Sequence, residues 1–267
     1  MEKIVKIMKE KSQFYLVWLT SGEHLRVSED ILVRYRLLKD QEISDSIIAE
    51  IKKAGSYDVG LQLALNYLSY QMRTKKEIRD YLRDKEFEKS DREKIINQLV
   101  EMQLLDDYLY SESYVRTLMK TSDKGPQQIK QQLKKKGVED EAIQQGLAAY
   151  TLSDQLLTAS KAAEKGMHRY RDKSFKDAVQ KTKLYLIQRG FSKAIVEQAI
   201  TDLEFEKDED QELTILQTQG DRLWERNRSL EPAKRKLKVK QSLYQKGFDY
   251  ELISQFINEK EQEADGE

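Results

Sequence analysis

The chain of 267 residues contains no cysteine, only 2 prolines and only 2 histidines. Without cysteine there is no disulfide framework and no thiolate chemistry, which fits a reducing compartment. His24 and His168 stand alone. Neither lies at metal-ligand spacing, and no serine has a histidine partner in view. Gly125, Gly137 and Gly146 are isolated, so no glycine-rich phosphate loop can be read and no cofactor is expected. The scarcity of proline favours long uninterrupted helices. No apolar stretch approaches membrane-spanning length, and no long apolar run follows the lysines between Met1 and Met8. A soluble cytoplasmic protein without a signal peptide is therefore expected. Lys plus Arg number 47 and Asp plus Glu 47. That balance excludes a globally basic footprint and leaves only local patches for an acidic partner.

Charged residues are 35% of the chain, against about 25% in ordinary domains, which suits slender helices with much surface. A six-residue pattern, Leu-x-x-(Lys/Arg)-(Gly/Glu)-(Phe/Val), occurs four times: Leu82–Phe87, Leu133–Val138, Leu186–Phe191 and Leu243–Phe248. Its leucines are 51, 53 and 57 residues apart, and a repeat of this kind decides the architecture. The pattern reads as a helix end. Ile78, Ile129 and Val239 lie four residues before their leucines and share the leucine's face, while Thr182 weakens the third copy. Gly137, Gly190 and Gly247 then fit the left-handed residue of a Schellman stop, with the following Val or Phe folding back. Glu86 replaces the glycine in the first copy; a left-handed Glu would cost about 1 kcal/mol. A second apolar stripe follows each stop: Ile95, Leu99 and Leu104; Ile143 and Leu147; Val196 and Ile200; Leu252, Phe256 and Ile257.

Each unit thus holds a helix, a stop and a second helix, preceded by a third. The expected organisation is an N-terminal segment 1–56, then repeats over 57–105, 106–150, 151–206 and 207–267, the last with an acidic, frayed tail over Glu259–Glu267. In the first segment, Ile4–Ile7, Phe14–Leu19 and His24–Val27 predict a small antiparallel meander turned at Ser21-Gly22. Ser28 would cap a helix over Glu29–Leu38 and Ser44 another over Asp45–Lys53, ended by Gly55. In the repeats, Leu61, Leu65, Leu68 and Met72 predict a first helix, and Thr74 caps a second over Lys75–Lys85. Ser90, with Glu93, caps a third to Leu105. Pro126 and Pro232 suit first turns. The fold class is all-α: four tandem three-helix repeats in an elongated curved rod, preceded by the meander and short helices. Stacked units leave a long concave flank, not one pocket, which argues against small-molecule catalysis.

Candidate functional residues are few. Asp106-Asp107 would either bind a cation or cap the helix that follows. Lys85, Lys136, Arg189 and Lys246 sit three residues after each repeat leucine, where a cation offsets the helix dipole. Arg79, Lys130, Lys183 and Lys240 sit three before it. With Arg83, Lys134 and Lys76 these form either a row of cations for an acidic groove or phosphate backbone, or a solvated face with matched acids. Tyr67, Tyr70, Tyr81, Tyr108, Tyr110 and Tyr114 offer either a base-stacking platform or core and rim packing.

Residues Arg73-Thr-Lys-Lys-Glu-Ile-Arg-Asp-Tyr-Leu-Arg-Asp-Lys-Glu-Phe87 are followed by Leu104-Leu-Asp-Asp107, Tyr110 and Tyr114-Val-Arg116. Lys124-Gly-Pro126 then leads to Leu133-Lys-Lys-Lys-Gly-Val138. Together these resemble the signature of the RecX family of recombinase regulators. The resemblance is specific over residues 57–150 and looser in the last two repeats. Thr74 stands where the family usually has Ser, and Glu86 where it usually has Gly. The resemblance implies an all-helical, non-enzymatic modulator of RecA. Such a protein binds the recombinase filament on single-stranded DNA and mostly inhibits its ATPase and strand exchange, reaching the DNA directly or through the filament. A monomer without membrane association, acting in recombination and repair, is implied. Lys76, Arg79, Arg83, Arg116, Lys130 and Lys134 are the expected contact residues. The alternative is a single-stranded nucleic-acid-binding repeat module that acts on recombination indirectly.

Overall fold

The computed structural model describes residues 1–10 and 14–265. The last two positions of the expected frayed tail, Gly266 and Glu267, lie outside the described residues; as far as Asp265 the last helix is unbroken. Two compact units divide the chain: residues 1–113 with 133–146, and residues 114–132 with 147–267.

The first unit begins with strands β1 (Glu2–Lys9), β2 (Phe14–Leu19) and β3 (His24–Ser28), with a short β4 (Glu42–Ile43). The expected meander forms, and β4 extends the sheet to the order β3-β2-β1-β4. Alternation buries Val17 and Leu19 from β2 with Leu25 and Val27 from β3 in one core, while Phe14 is buried out of that phase. The helix capped by Ser28, α1 (Glu29–Arg34), is shorter than expected. The helix capped by Ser44 is much longer: α2 runs from Asp45 to Tyr70 without a break. Gly55 therefore ends nothing. It is buried in mid-helix, where a Cβ would stand 2.5 Å from the Arg26 carbonyl oxygen of β3. Glycine there lets the helix lie flat on the sheet, and Ile48 and Ile51 join the sheet's core. Ser28 also donates to the Asp58 carboxylate, tying the sheet's last strand to the second half of α2. One helix thus serves both the N-terminal segment and the first repeat.

That repeat is completed by α3 (Lys75–Asp84) and α4 (Lys89–Glu101). Thr74 and Glu77 close a full capping box on α3. The cap expected at Ser90 is displaced: Glu88 is the N-cap of α4 and makes no side-chain bond there. Ile78, Leu82, Ile95, Ile96 and Leu99 form the core with Leu105. Leu104 is instead 49% exposed, one position out of register with the expected stripe. Met72 likewise falls beyond the end of α2.

The remaining helices are α5 (Asp107–Thr121), α6 (Pro126–Lys135), α7 (Asp140–Ala148), α8 (Leu152–Arg169), α9 (Phe175–Gln188), α10 (Lys193–Asp202), α11 (Glu209–Arg226), α12 (Pro232–Gln245) and α13 (Tyr250–Asp265). In the second unit, α8, α9 and α10 share one core built on Ala159, Ala163, Leu186 and Val196. Helices α11, α12 and α13 share another built on Leu216, Val239, Leu243, Phe256 and Ile257. Thr182 is fully buried like its counterparts, and Gly166 opposite leaves room for it.

All four copies of the repeat motif are Schellman stops. The amide of the final Phe or Val donates to the motif leucine carbonyl at 3.1 Å (Phe87), 3.1 Å (Val138), 3.2 Å (Phe191) and 3.3 Å (Phe248). Gly137, Gly190 and Gly247 have φ of 78°, 90° and 88°, and Glu86 keeps the same left-handed conformation at 64°.

Candidate functional site

Three motif ends each meet the start of an earlier helix, at junctions of one design. In the first unit, the Thr74 hydroxyl donates to the Lys136 carbonyl at 2.7 Å and Lys76 Nζ to the Lys135 carbonyl at 2.9 Å. In the second unit, the Gly125 amide donates to the Arg189 carbonyl at 2.7 Å, and the Gln127 amide to the Gly190 carbonyl at 3.1 Å. The Ser174 hydroxyl donates to the Lys246 carbonyl at 2.5 Å. The last carbonyls of one helix, which lack partners along their own axis, thus satisfy donors at the start of another. The helix starts take a second partner. Asp107 accepts the Lys75 amide at 2.9 Å, and Glu212 accepts the Phe175 amide at 2.8 Å. Burial pushes both carboxyls above their ordinary pKa. Asp106 accepts the Tyr108 and Leu109 amides. The acidic pair is therefore two helix caps, one for its own helix and one for α3. Among the described residues, no group of three His, Cys, Asp or Glu is placed to hold a metal.

The junctions also absorb cations of the motif. Lys136 pairs with Glu77 at 2.7 Å, and Arg189 with Asp123 at 3.2 Å. Burial opposes the charge on Lys136, but Glu77 and Tyr110 outweigh it and its pKa is raised. Dipole compensation is thus only part of their role.

Two of the four cations three residues before the leucine, Arg79 and Lys183, pair with a glutamate of their own repeat, and Lys240 lies 5.4 Å over the Tyr250 ring. Arg79 makes a bidentate bridge to Glu93, at 2.6 and 2.9 Å. Lys183 meets Glu197 at 2.5 Å, at the same fourteen-residue offset. The Glu93 hydrogen bond raises the Arg79 pKa and lowers that of Glu93. Of the other expected contact residues, Arg83 is exposed and bridges Asp80 at 2.7 Å, and Lys134 is exposed and bridges Asp140 at 2.9 Å. Lys76 spends its ammonium on the junction. Arg116 is exposed and Lys130 half-buried, and both have partners within the chain. Tyr67 stacks on Tyr81 with ring centroids 4.2 Å apart, and Arg73 lies 4.0 Å over Tyr67. These tyrosines are packing groups, whereas Tyr70 is 85% exposed.

Cations without a partner among the described residues gather elsewhere, in two grooves of the second unit that sequence reasoning missed. One, of about 550 Å³, is lined by Lys120, Lys161 and Lys165. The other, of about 470 Å³, is lined by Arg222 and Arg226 beside Lys173, which pairs with Asp172. The carboxylates lining them have other partners: Asp123 has Arg189 and the Tyr185 hydroxyl, Asp154 the Thr151 hydroxyl, and Asp172 Lys173. Lys165 and Arg222 are fifty-seven residues apart, the spacing of the last two motif leucines, so one groove repeats the other. The signal available in sequence was the basic i, i+4 pairing on α8 and α11, which lies outside the motif.

A small sheet followed by tandem three-helix units with end-to-end junctions defines a class, that of helical repeat proteins. The chain belongs to the RecX family. Family models described as the first, second and third three-helix domains of RecX match residues 61–99, 106–147 and 209–257. The third model falls on α11–α13, so α8–α10 stand between the second and third matched domains. The chain is 60% identical over 265 residues to the regulatory protein RecX of Enterococcus faecalis, covering 99% of this chain and 100% of that one. It is 37% identical over 249 residues to its namesake in Levilactobacillus brevis, covering 93% and 94%. A crystal structure of regulatory protein RecX superposes with a TM-score of 0.65 at 35% identity, covering 76% of this chain and all of that one. That of RecX from Lactobacillus salivarius gives 0.54 at 42%, covering 56% and 97%. No helix among the described residues is long and apolar enough to cross a membrane.

Proposed function

We propose that the protein is a non-enzymatic regulator of RecA. It binds the recombinase filament on single-stranded DNA and mostly inhibits ATP hydrolysis and strand exchange. The observation that carries this reading is full-length identity of 60% to a protein named for regulation. The repeats support it physically: several similar units on one chain add weak contacts through effective concentration. Arg83, Lys134, Lys76 and Arg79 in the first unit, and Lys130 and Arg116 in the second, are the proposed contact residues. Exposed bridges such as Arg83–Asp80 are worth at most about 1 kcal/mol, so a partner's carboxylates can replace them. The test is the ATPase of RecA on single-stranded DNA as this protein is titrated, with co-sedimentation of the filament with and without nucleotide. Inhibition with co-sedimentation is expected; neither would end the proposal. Lys130→Glu with Lys134→Glu should weaken inhibition while leaving helicity intact.

The paired basic grooves favour a second reading, a direct hold on single-stranded nucleic acid. Lys161 and Lys165, like Arg222 and Arg226, are one helical turn apart, about 6 Å, and no aromatic side chain among the described residues lines either groove. Such a surface suits a phosphate backbone without base recognition, and its affinity should fall with salt. Binding to DNA alone that is lost in Lys161→Glu with Arg222→Glu would favour it, whereas salt-insensitive binding would count against it.

A further inference from the structure

Three motif ends are seated on the starts of α3, α6 and α9, the second helices of their repeats, and among the described residues one motif end and one such start have no counterpart. The unmatched end is the turn at Glu86, which is exposed. The unmatched start is that of α12, whose N-cap Glu231 makes no side-chain capping bond. We propose that these two free junction halves are complementary in backbone design, and that glutamates at both keep copies of this chain from joining head to tail through them.

The three occupied junctions define what the contact requires. On the motif end, the left-handed residue is always glycine. A Cβ on Gly137 would stand 2.5 Å from Lys76 Cβ, one on Gly190 2.5 Å from the Gln128 nitrogen, and one on Gly247 2.9 Å from Ser174 Oγ. On the helix start, the N-cap is Thr74, Gly125 or Ser174. Each supplies a donor to the carbonyl before the glycine, the hydroxyl in two cases and the backbone amide in the third. At the Thr74 junction a carboxylate three residues on, Glu77, meets the motif cation Lys136.

The free halves carry side chains that the occupied junctions lack. Glu86 has the right φ, 64°, but carries the side chain that the occupied junctions exclude. Glu231 keeps the backbone amide that serves at the Gly125 junction, but its carboxylate can only accept where the Thr74 and Ser174 hydroxyls donate. Lys234 holds the place of Glu77 and would face Lys85. Docking would also bring Glu86 towards Glu231, whose exposed bridge to Lys234 at 3.1 Å offsets the like-charge repulsion only weakly. Pro232 is not an obstacle, because Pro126 opens α6 at an occupied junction. A contact between an end patch and a different patch on the next copy does not close on itself and would grow into chains. The glutamates are therefore placed where they matter for a chain built of repeats.

Two variants test this by complementation. Glu86→Gly opens the motif end but leaves the start blocked. Glu231→Ser with Lys234→Glu opens the start but leaves the end blocked. Each alone should sediment as the wild type does across a concentration series. Their mixture should form a one-to-one dimer and nothing larger, because each dimer retains a blocked half at either end. A single chain carrying all three changes should form concentration-dependent oligomers. A mixture that sediments as the separate variants do would overturn the proposal, as would oligomers formed by either variant alone. Circular dichroism of each variant separates loss of fold from loss of contact.

Discussion

Replacing Gly190 by alanine should disrupt one junction by two mechanisms whose sizes can be estimated separately. The residue sits at φ 90°, where a Cβ costs about 1–2 kcal/mol in backbone strain. That Cβ would also stand 2.5 Å from the Gln128 nitrogen and 3.0 Å from Gln128 Cβ. The start of α6 must then retreat, lengthening the Gly125-to-Arg189 and Gln127-to-Gly190 bonds, 2.7 and 3.1 Å. Each such bond contributes about 1 kcal/mol net. The whole change should therefore cost about 3–4 kcal/mol, of which roughly half is junction, not strain. Gly22→Ala separates the two. Gly22 has φ 83° and nothing within 4 Å of its added Cβ, so it reports strain alone. Tandem repeats need not unfold in a single step, so the assay is hydrogen exchange read segment by segment. Protection should fall at the amides of Gly125, Gln127 and Phe191 by more than the Gly22 variant loses around its own turn. Equal losses at the two sites would refute the junction contribution.

Glu86→Gly should stabilise the end of α3 by about 1 kcal/mol, since it relieves a left-handed non-glycine with no clash to offset; urea unfolding measures it. Thr182→Val should also stabilise, by about 1 kcal/mol, because Thr182 Oγ1 is buried without a hydrogen-bond partner; thermal unfolding checks the sign. The Asp107 carboxyl has a raised folded pKa through burial, so the native state holds its proton more tightly than the unfolded chain. Its contribution to stability therefore declines as pH rises from about 4, the unfolded value, through the folded one. Asp107→Asn keeps an acceptor for the Lys75 amide, and its stability should gain on the wild type as pH rises through that window. Glu93 has the opposite shift, lowered by Arg79. The stability it lends is present above the unfolded glutamate pKa and lost as pH falls through the folded value. Glu93→Gln should remove that acid-side loss, with a change at neutral pH of at most about 1 kcal/mol for so exposed a bridge.

Local chemistry was legible in the sequence wherever one residue decides it. Glycine after a basic turn announced the left-handed stop, and the four copies of the motif announced repeats, because φ and helix periodicity depend on neighbours a few positions away. Thr74, Pro126 and Pro232 marked their helix starts for the same reason. The reading failed where a residue answers to something distant. Gly55 looked like a stop and is a point of close approach to Arg26, a partner 29 positions away. Asp107 caps a helix 32 residues earlier, and a capping motif reveals only its own helix. The row of basic residues left a binding stripe and a face with matched acids equally open, and only the packed fold sets Glu93 beside Arg79 and Glu197 beside Lys183. The helical brick and its signature were readable from the residues unaided, since both are written within a short stretch of chain. Which cations stay uncompensated, and why the first motif tolerates Glu86, emerged only from the packed fold. Neutralisation and steric exclusion depend on what packs against a side chain, and that neighbour comes from another part of the chain.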